Sequence, residues 1–303
     1  MNIFVTGGTG FLGYNTIQRL LRDGHHVVAL VRQDNNVLSD LVSPYLQLVK
    51  GSLDGGIQYN QSIDVCIHFA WSGVNRNGVN DLGIQKQNVS NTLNLVEFLL
   101  NHHCKLLIDA GSRQEYAPTR EPITEETPCN PVSEYGKWKL EAFQKVSDVV
   151  KGNMKYVHLR IFSTYGIGDH PWSLINSSID KMLRNDPVEL GMCRHFWSFL
   201  YIDDFEDMIA AIINNNARLE GTEIYNVGSG YIQPLRYFVN TIKSVIGSES
   251  ELQFGKFVEN KESVYPLIPD ISKVCSEFGW YENTTFANGI TTIIKNKLYD
   301  KGK

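Results

Sequence analysis

The chain has 303 residues, which at about 150 residues per domain makes two domains or one large α/β unit with a sizeable core. Its 28 basic and 33 acidic residues leave a net charge of −5, so there is no basic excess to neutralise a nucleic-acid backbone or an anionic membrane. With 42% apolar, 20% charged and 11% aromatic residues, the composition is that of a chain that folds throughout, and low-complexity disorder is excluded. The opening MNIFVTGGTG has no basic stretch before a long apolar run, and no window holds the roughly 18 apolar residues of a spanning helix. The five cysteines, Cys66, Cys104, Cys129, Cys193 and Cys275, are scattered without a CxxC pair. These features predict a cytoplasmic protein with reduced thiols, no metal site, and neither nucleic acid nor membrane as a partner.

Apolar runs of strand length alternate with segments of 3.6-residue periodicity, the order of a parallel sheet wrapped by helices. A buried strand is expected at residues 3–5; Leu12, Ile17, Leu20 and Leu21 then share one helical face, which Asp23-Gly24 ends. Further strands are expected at 27–31, 46–49, 65–69, 106–108 and 156–161, with long helices over about 79–103 and 133–150. Six such units predict an α/β fold with a Rossmann-type doubly wound parallel sheet in residues 1–165. Beyond about residue 166 the alternation weakens into a smaller mixed α/β lobe, 166–303, with helices near 172–185, 204–215, 232–246 and 284–296 and chain crossings near 200–230. Residues 121–131, with three prolines, read as a solvated surface loop.

TGGTGFLG follows the first strand and opens the first helix, bringing Gly7, Thr9, Gly10 and Gly13 to the turn between them. In that context backbone N–H groups and the positive end of a helix dipole meet a pyrophosphate, and glycines remove the Cβ atoms that would block it. The end of the second strand should touch the adenosine ribose, where a carboxylate would accept from a free 2′-hydroxyl. Val31-Arg32 stand there instead, and a guanidinium pairs well with a 2′-phosphate, so NADP(H) is favoured and NAD(H) remains open. Asp34, two residues on, argues the other way, as does reading Arg32 as a plain surface arginine.

Tyr135 and Lys139 in SEYGKWKLEAF are four apart on a helical segment, so their side chains share one face. An ammonium beside a phenol stabilises the phenolate and draws its pKa toward the working range, which makes Tyr135 a candidate acid and base. Ser112 lies just past the strand at 106–108, at the carboxyl end of a parallel sheet where ligands of such folds bind.

The set TGGTGFLG, IHFAW, QNVSNTLNL, AGSRQEYA, EYGKWK, LRIFSTYG, FLYIDD and YNVGSG, in this order, resembles the extended short-chain dehydrogenase/reductases, the sugar-nucleotide epimerase/dehydratase family. The resemblance spans nearly the whole chain. It implies an NAD(P)-binding Rossmann domain, a C-terminal lobe for a nucleotide-linked sugar, a homodimer formed through the helices near 79–103 and 133–150, and Ser112, Tyr135 and Lys139 as the catalytic triad. The surplus of apolar residues at Leu93, Val96, Leu99 and Leu100 agrees with such an interface. Carried over position by position, Phe11 and Leu12 would lie along the pyrophosphate, and Ser52-Leu53 would flank the adenine. Phe69, Ala70 and Trp71 would line the cofactor, with Asn88 nearby, Lys139 on the nicotinamide ribose and Phe162 close to the nicotinamide. Two departures stand out: Ser163 where members usually have Asn, and Trp197-Ser198 where they have Arg-Asp, the arginine commonly binding substrate diphosphate. Arg194 or His195, just upstream, are candidate replacements.

Dehydratases of the family carry Asp-Glu directly after the serine position; this chain has Arg113-Gln114, which cannot serve as that acid/base pair. Epimerases recycle a tightly held NAD whereas reductases exchange NADPH at each turnover, and Val31-Arg32 favours the second, so the sequence predicts a reductase of a nucleoside-diphosphate 4-keto-6-deoxysugar. A nucleotide-sugar 4-epimerase with bound NAD is the alternative enzyme, and a non-catalytic NADP(H)-binding sensor the alternative of another class.

Overall fold

The computed structural model describes residues 1–34, 36–75, 78–257 and 265–301. The first part of the chain runs β1 (Asn2–Thr6), α1 (Phe11–Arg22), β2 (His26–Val31), β3 (Leu46–Ser52), β4 (Gly56–Ile57), β5 (Val65–His68), α2 (Leu82–Asn101), β6 (Leu106–Ser112), α3 (Glu134–Val150) and β7 (Lys155–Ile161). After it come β8 (Thr164–Tyr165), α4 (Leu174–Met182), β9 (Val188–Leu190), β10 (Phe196–Trp197), β11 (Leu200–Tyr201), α5 (Ile202–Asn214), β12 (Thr222–Val227), β13 (Gln233–Pro234), α6 (Leu235–Ile246), β14 (Leu252–Phe254), α7 (Ser272–Phe278) and α8 (Phe286–Lys301).

Eight strands form the main sheet in the order β12-β7-β6-β5-β1-β2-β3-β4, and only the short β4 runs antiparallel to its neighbour. This is the doubly wound α/β fold. Strand order reverses between β1 and β5, so Thr6 and His68, and beyond them Ser112, end their strands at the crevice where such sheets bind ligands. The alternation of side chains along each strand divides the core between the two sheet faces. Ile3, Val5, Val65, Ile67, Leu106 and Ile108 face the side packed with α1, α5 and the C-terminal elements. Phe4, Cys66 and Leu107 face the other, against Leu95, Val96 and Leu99 of α2 and Val146 of α3. Val96 and Leu99 are thus core residues, with Leu93 and Leu100 packed beside them, so the apolar surplus of α2 is largely consumed within the chain.

Three features differ from the sequence expectation. The sheet gains β12, TEIYNV, whose polar positions break the apolar-run signal, and it pairs with β7 over its whole length. The seven-residue helix α7 was too short to show a period. Residues 121–131 are more than a solvated loop: Ile123 is buried and its N–H donates to Ile268 O at 2.8 Å, while Glu125 Oε1 accepts from Asn226 N–H at 2.7 Å. The loop is strapped to the C-terminal segment. All five cysteines are free thiols, and among the described residues no helix is long and apolar enough to cross a membrane.

Candidate active site

The β1–α1 turn is shaped by glycine. Gly7 has φ +71°, and a Cβ there would sit 2.6 Å from Ala70 N, while a Cβ at Gly13 would overlap Gly7 O. The first glycine thus lets the turn abut the chain after β5, and the third lets α1 close onto β1. Gly10 precedes α1 without a side-chain cap, and no acid occupies the first helical turn, which leaves the helix N-terminus suited to a phosphate. Beside it opens a cleft of about 580 Å³ lined by Gly7, Thr9, Gly10, Arg32, Ser52, Leu53, Phe69, Ala70, Trp71 and Asn88, together with Asp54, Ser72, Gln87 and Asn91. Phe11, Leu12, Gly13 and Phe162 are outside this lining; Phe11 and Leu12 pack on the core, and Phe162 joins Tyr116, Ile123 and Leu267 in a separate cluster. The glycine cradle and uncapped helix fit a dinucleotide.

Asn88 fixes the cleft wall by accepting from Ser72 N–H at 3.0 Å and donating to Ser72 O at 2.9 Å. Buried Gln85 accepts from Trp71 Nε1 at 2.8 Å and donates to Gly78 O at 2.9 Å, which sets the indole. At the adenosine end, the Asp34 carboxylate is paired on the surface with Lys50 at 2.6 Å. Asp54 instead shares the cleft with Arg32; a hydrogen bond from the Ser52 hydroxyl, with smaller help from Arg32, lowers its pKa.

Ser112 ends β6, and Tyr135 and Lys139 stand one turn apart in α3. The start of α3 is held against the turn after Ser112 in two ways. Ser133 caps the helix by accepting from Gly136 N–H at 3.0 Å and donates its own hydroxyl to Gln114 Oε1 at 2.6 Å. Gly136 permits the approach, because a Cβ there would overlap Gln114 O. Tyr135 is thereby brought toward Ser112; burial raises the phenol's pKa, and the Ser112 side chain opposes the rise. Lys139 is buried, donates to Ala110 O at 2.6 Å, and lies 3.7 Å from the centroid of the Trp71 ring. Burial lowers its pKa to about 8 against the opposing pull of Asp109 and Glu115.

On the other side of Ser112, Trp197 Nε1 donates to Ser163 Oγ at 3.1 Å, so the two family departures are partners of each other. His195 meets the Trp197 ring edge-on at 5.3 Å, the Arg113 guanidinium lies 5.9 Å from that ring, and Arg194 is exposed. A small cavity of about 40 Å³ lies between Arg113, Gln114, Tyr116, Ile123, Ser133 and Leu267. Sequence reasoning missed Gln85, Asp54 and the buried charges behind Ser112, since none belongs to a recognisable motif. Among the described residues no group of three His, Cys, Asp or Glu side chains is placed to hold a metal ion.

Comparison with known proteins accords with this fold. A Methanocaldococcus jannaschii protein, whose name of UDP-glucose 4-epimerase is provisional, is 29% identical, over 96% of this chain and 97% of its own. The bifunctional UDP-glucose 4-epimerase and UDP-xylose 4-epimerase 3 of Arabidopsis thaliana is 25% identical over 92% of this chain and 90% of its own. Among solved structures, the UDP-N-acetylglucosamine 4-epimerase of Methanobrevibacter ruminantium superposes with a TM-score of 0.87 at 19% identity, covering 99% of this chain and 98% of that one. The UDP-glucose 4-epimerase of Thermotoga maritima superposes with a TM-score of 0.85 at 20% identity, covering 98% and 100%. The sequence profile of the NAD-dependent epimerase/dehydratase family matches residues 3–228, and the chain belongs to that family.

Proposed function

We propose that the protein oxidises and reduces C4 of a nucleoside-diphosphate sugar, first as a UDP-sugar 4-epimerase. The observation that carries this reading is that Ser112, Tyr135 and buried Lys139 are brought together, with the start of α3 held on the turn after Ser112, beside a dinucleotide-shaped cleft. A nicotinamide dinucleotide, when bound, supplies the hydride acceptor and donor. Tyr135 takes the proton from the 4-hydroxyl during oxidation and returns it to the 4-keto oxygen during reduction. Ser112 donates a hydrogen bond to the same oxygen, and the Lys139 ammonium one turn on supplies positive charge near the reacting centre. Arg113 and Gln114 supply no acid/base pair for dehydration, and the carboxylate next in line, Glu115, is turned inward onto His158 and Arg160. The relatives named as 4-epimerases favour this reading over the reductase expected from sequence.

A second reading, reduction of a nucleoside-diphosphate 4-keto-6-deoxysugar by NADPH, is favoured by Arg32 at the cleft and by the absence of a carboxylate at the end of β2. The two are separated by one pair of assays. Conversion of UDP-galactose to UDP-glucose without added cofactor supports the epimerase; consumption of NADPH with dTDP-4-keto-6-deoxyglucose and no epimerisation supports the reductase. Binding of NADPH with neither turnover would return the non-catalytic sensor. A homodimer through α2 and α3, in the cytoplasm, completes the proposal.

A further inference from the structure

Glu115 lies three residues after Ser112, is fully buried, and belongs to no part of the reaction described above. Its Oε1 accepts from Ser112 N–H at 2.7 Å, and Ser112 Oγ in return accepts from Gln114 N–H at 3.1 Å, so the serine is clamped from both sides of its own turn. The other oxygen, Oε2, is 2.9 Å from His158 Nε2 and accepts from Arg160 Nε at 3.1 Å. His158 Nδ1 in turn lies 3.2 Å from Asp109 Oδ2, which also accepts from the Tyr156 hydroxyl at 2.9 Å. Both ring nitrogens of His158 face carboxylate oxygens, which only accept at neutral pH, and the Tyr156 hydroxyl 3.2 Å from Nδ1 gives its proton to Asp109 instead, so both nitrogens carry hydrogens and the ring is an imidazolium. Burial disfavours that charge, yet Glu115 and Asp109 outweigh it and push the His158 pKa up to about 9.

Such an array is an expensive way to fill space. Two buried carboxylates, an imidazolium and a guanidinium cost desolvation that apolar side chains of similar volume would avoid. Room for it also depends on Gly111, where a Cβ would overlap His158 Nε2 and come within 2.9 Å of Glu115 Oε1.

We propose that Glu115 is a positioning residue for the triad: through the Ser112 amide it holds the Ser112 hydroxyl against Tyr135, and His158 with Arg160 holds Glu115 in that pose. The inference rests on the Ser112, Tyr135 and Lys139 assignment of the proposed function. It places the effect on turnover and leaves dinucleotide affinity unchanged, because none of the array lines the cofactor cleft.

The test is a mutant cycle of Glu115→Ala, Glu115→Gln and Ser112→Ala with the combined Ser112→Ala/Glu115→Ala. Turnover is measured on UDP-galactose, or on dTDP-4-keto-6-deoxyglucose with NADPH if that pair is the one turned over, and NADH and NADPH titrations are run beside it. Glu115→Ala is expected to lower kcat about tenfold or more with KM and cofactor Kd within about twofold; Glu115→Gln, which keeps an acceptor for the Ser112 amide, stays within about threefold; the double variant is no slower than Ser112→Ala. Multiplied losses in the double variant, or Glu115→Gln no better than Glu115→Ala, overturn the proposal. Amide hydrogen exchange at Ser112, which needs no substrate, is expected to be about tenfold faster in Glu115→Ala and near wild type in Glu115→Gln; unchanged exchange in Glu115→Ala also overturns it. If Glu115→Ala fails to fold, His158→Gln replaces it in both measurements with the same expectations. Full turnover in Ser112→Ala would instead refute the triad assignment, a failure distinct from that of the Glu115 clamp.

Discussion

Cofactor choice decides between the two enzymatic readings, and it turns on one side chain. Arg32 reaches the cleft from the end of β2, where a 2′-phosphate would lie, and Asp34 is held away by Lys50. A charge-assisted hydrogen bond to that phosphate is worth about 1.5–3 kcal/mol, and an exposed arginine belongs at the low end. Replacing Arg32 by Ala should therefore weaken NADPH by about 1.5 kcal/mol, roughly tenfold in Kd, and NADH by less than about twofold. Asp54 shares the same cleft and opposes a phosphate there, so Asp54→Asn should tighten NADPH by about two- to threefold. Adding an acid to create NADH preference is best done at Arg32 itself, because Val31 is 4% exposed and a carboxylate there would be buried. Fluorescence titrations of both cofactors on wild type, Arg32→Ala and Asp54→Asn supply the answer. Equal weakening of both cofactors by Arg32→Ala, or of neither, would make Arg32 a surface residue and remove the main support for an NADPH-dependent reductase.

The remaining expectations concern the reaction, its pH range and assembly. Tyr135→Phe should cut turnover about a hundredfold or more while cofactor titrations stay unchanged, and Ser112→Ala should lose less. Lys139 has a pKa lowered to about 8, so its ammonium is lost as pH rises through that value; kcat/KM should fall on the alkaline side, and a flat profile to pH 10 would count against its role. His158, raised from 6.5 to about 9, contributes stability that is complete below pH 6.5 and disappears as pH rises to about 9, on the order of 3 kcal/mol. His68, lowered to about 4 by burial, acts oppositely, so its penalty grows as pH falls from 6.5 toward 4. Urea midpoints should thus peak near neutral pH, with the alkaline loss reduced in His158→Gln. Light scattering should give about twice the 34.3 kDa chain mass, and a monomer at micromolar concentration would refute the α2–α3 dimer.

Strands of the sheet were legible where burial on both faces writes them as apolar runs, as in β2 with HVVALV and β5 with VCIH. β12 was not, since Asn226 sits within it, and only the fold shows what that residue does. Its side chain accepts from the Tyr116 hydroxyl at 2.7 Å and donates to Ile123 O at 2.8 Å. A polar residue inside a strand weakens the sequence signal wherever it serves a neighbour far along the chain. The turn glycines carried their meaning in the sequence because a strand precedes them and a helix follows, so local context sufficed.

The site divides in the same way. Tyr135 and Lys139 are related by helical spacing, which sequence records, whereas their approach to Ser112 depends on Gly136 and Ser133 meeting the turn at Gln114. Ser163 and Trp197 read in the sequence as two separate departures, whereas the structure joins them by one hydrogen bond. That bond has a consequence for substrate binding. An indole whose N–H is already given to Ser163 presents its ring, not a charge, where a family arginine would meet diphosphate. If the substrate is a nucleoside-diphosphate sugar as proposed, the position of Arg113, beside Ser112 and near that ring, makes Arg113→Ala the informative substitution. Its KM for a UDP-sugar should rise about tenfold, the worth of one charge-assisted contact, with cofactor affinity unchanged. A KM that stays at the wild-type value would remove Arg113 from the substrate site and leave Arg194 and His195 as the residues to test.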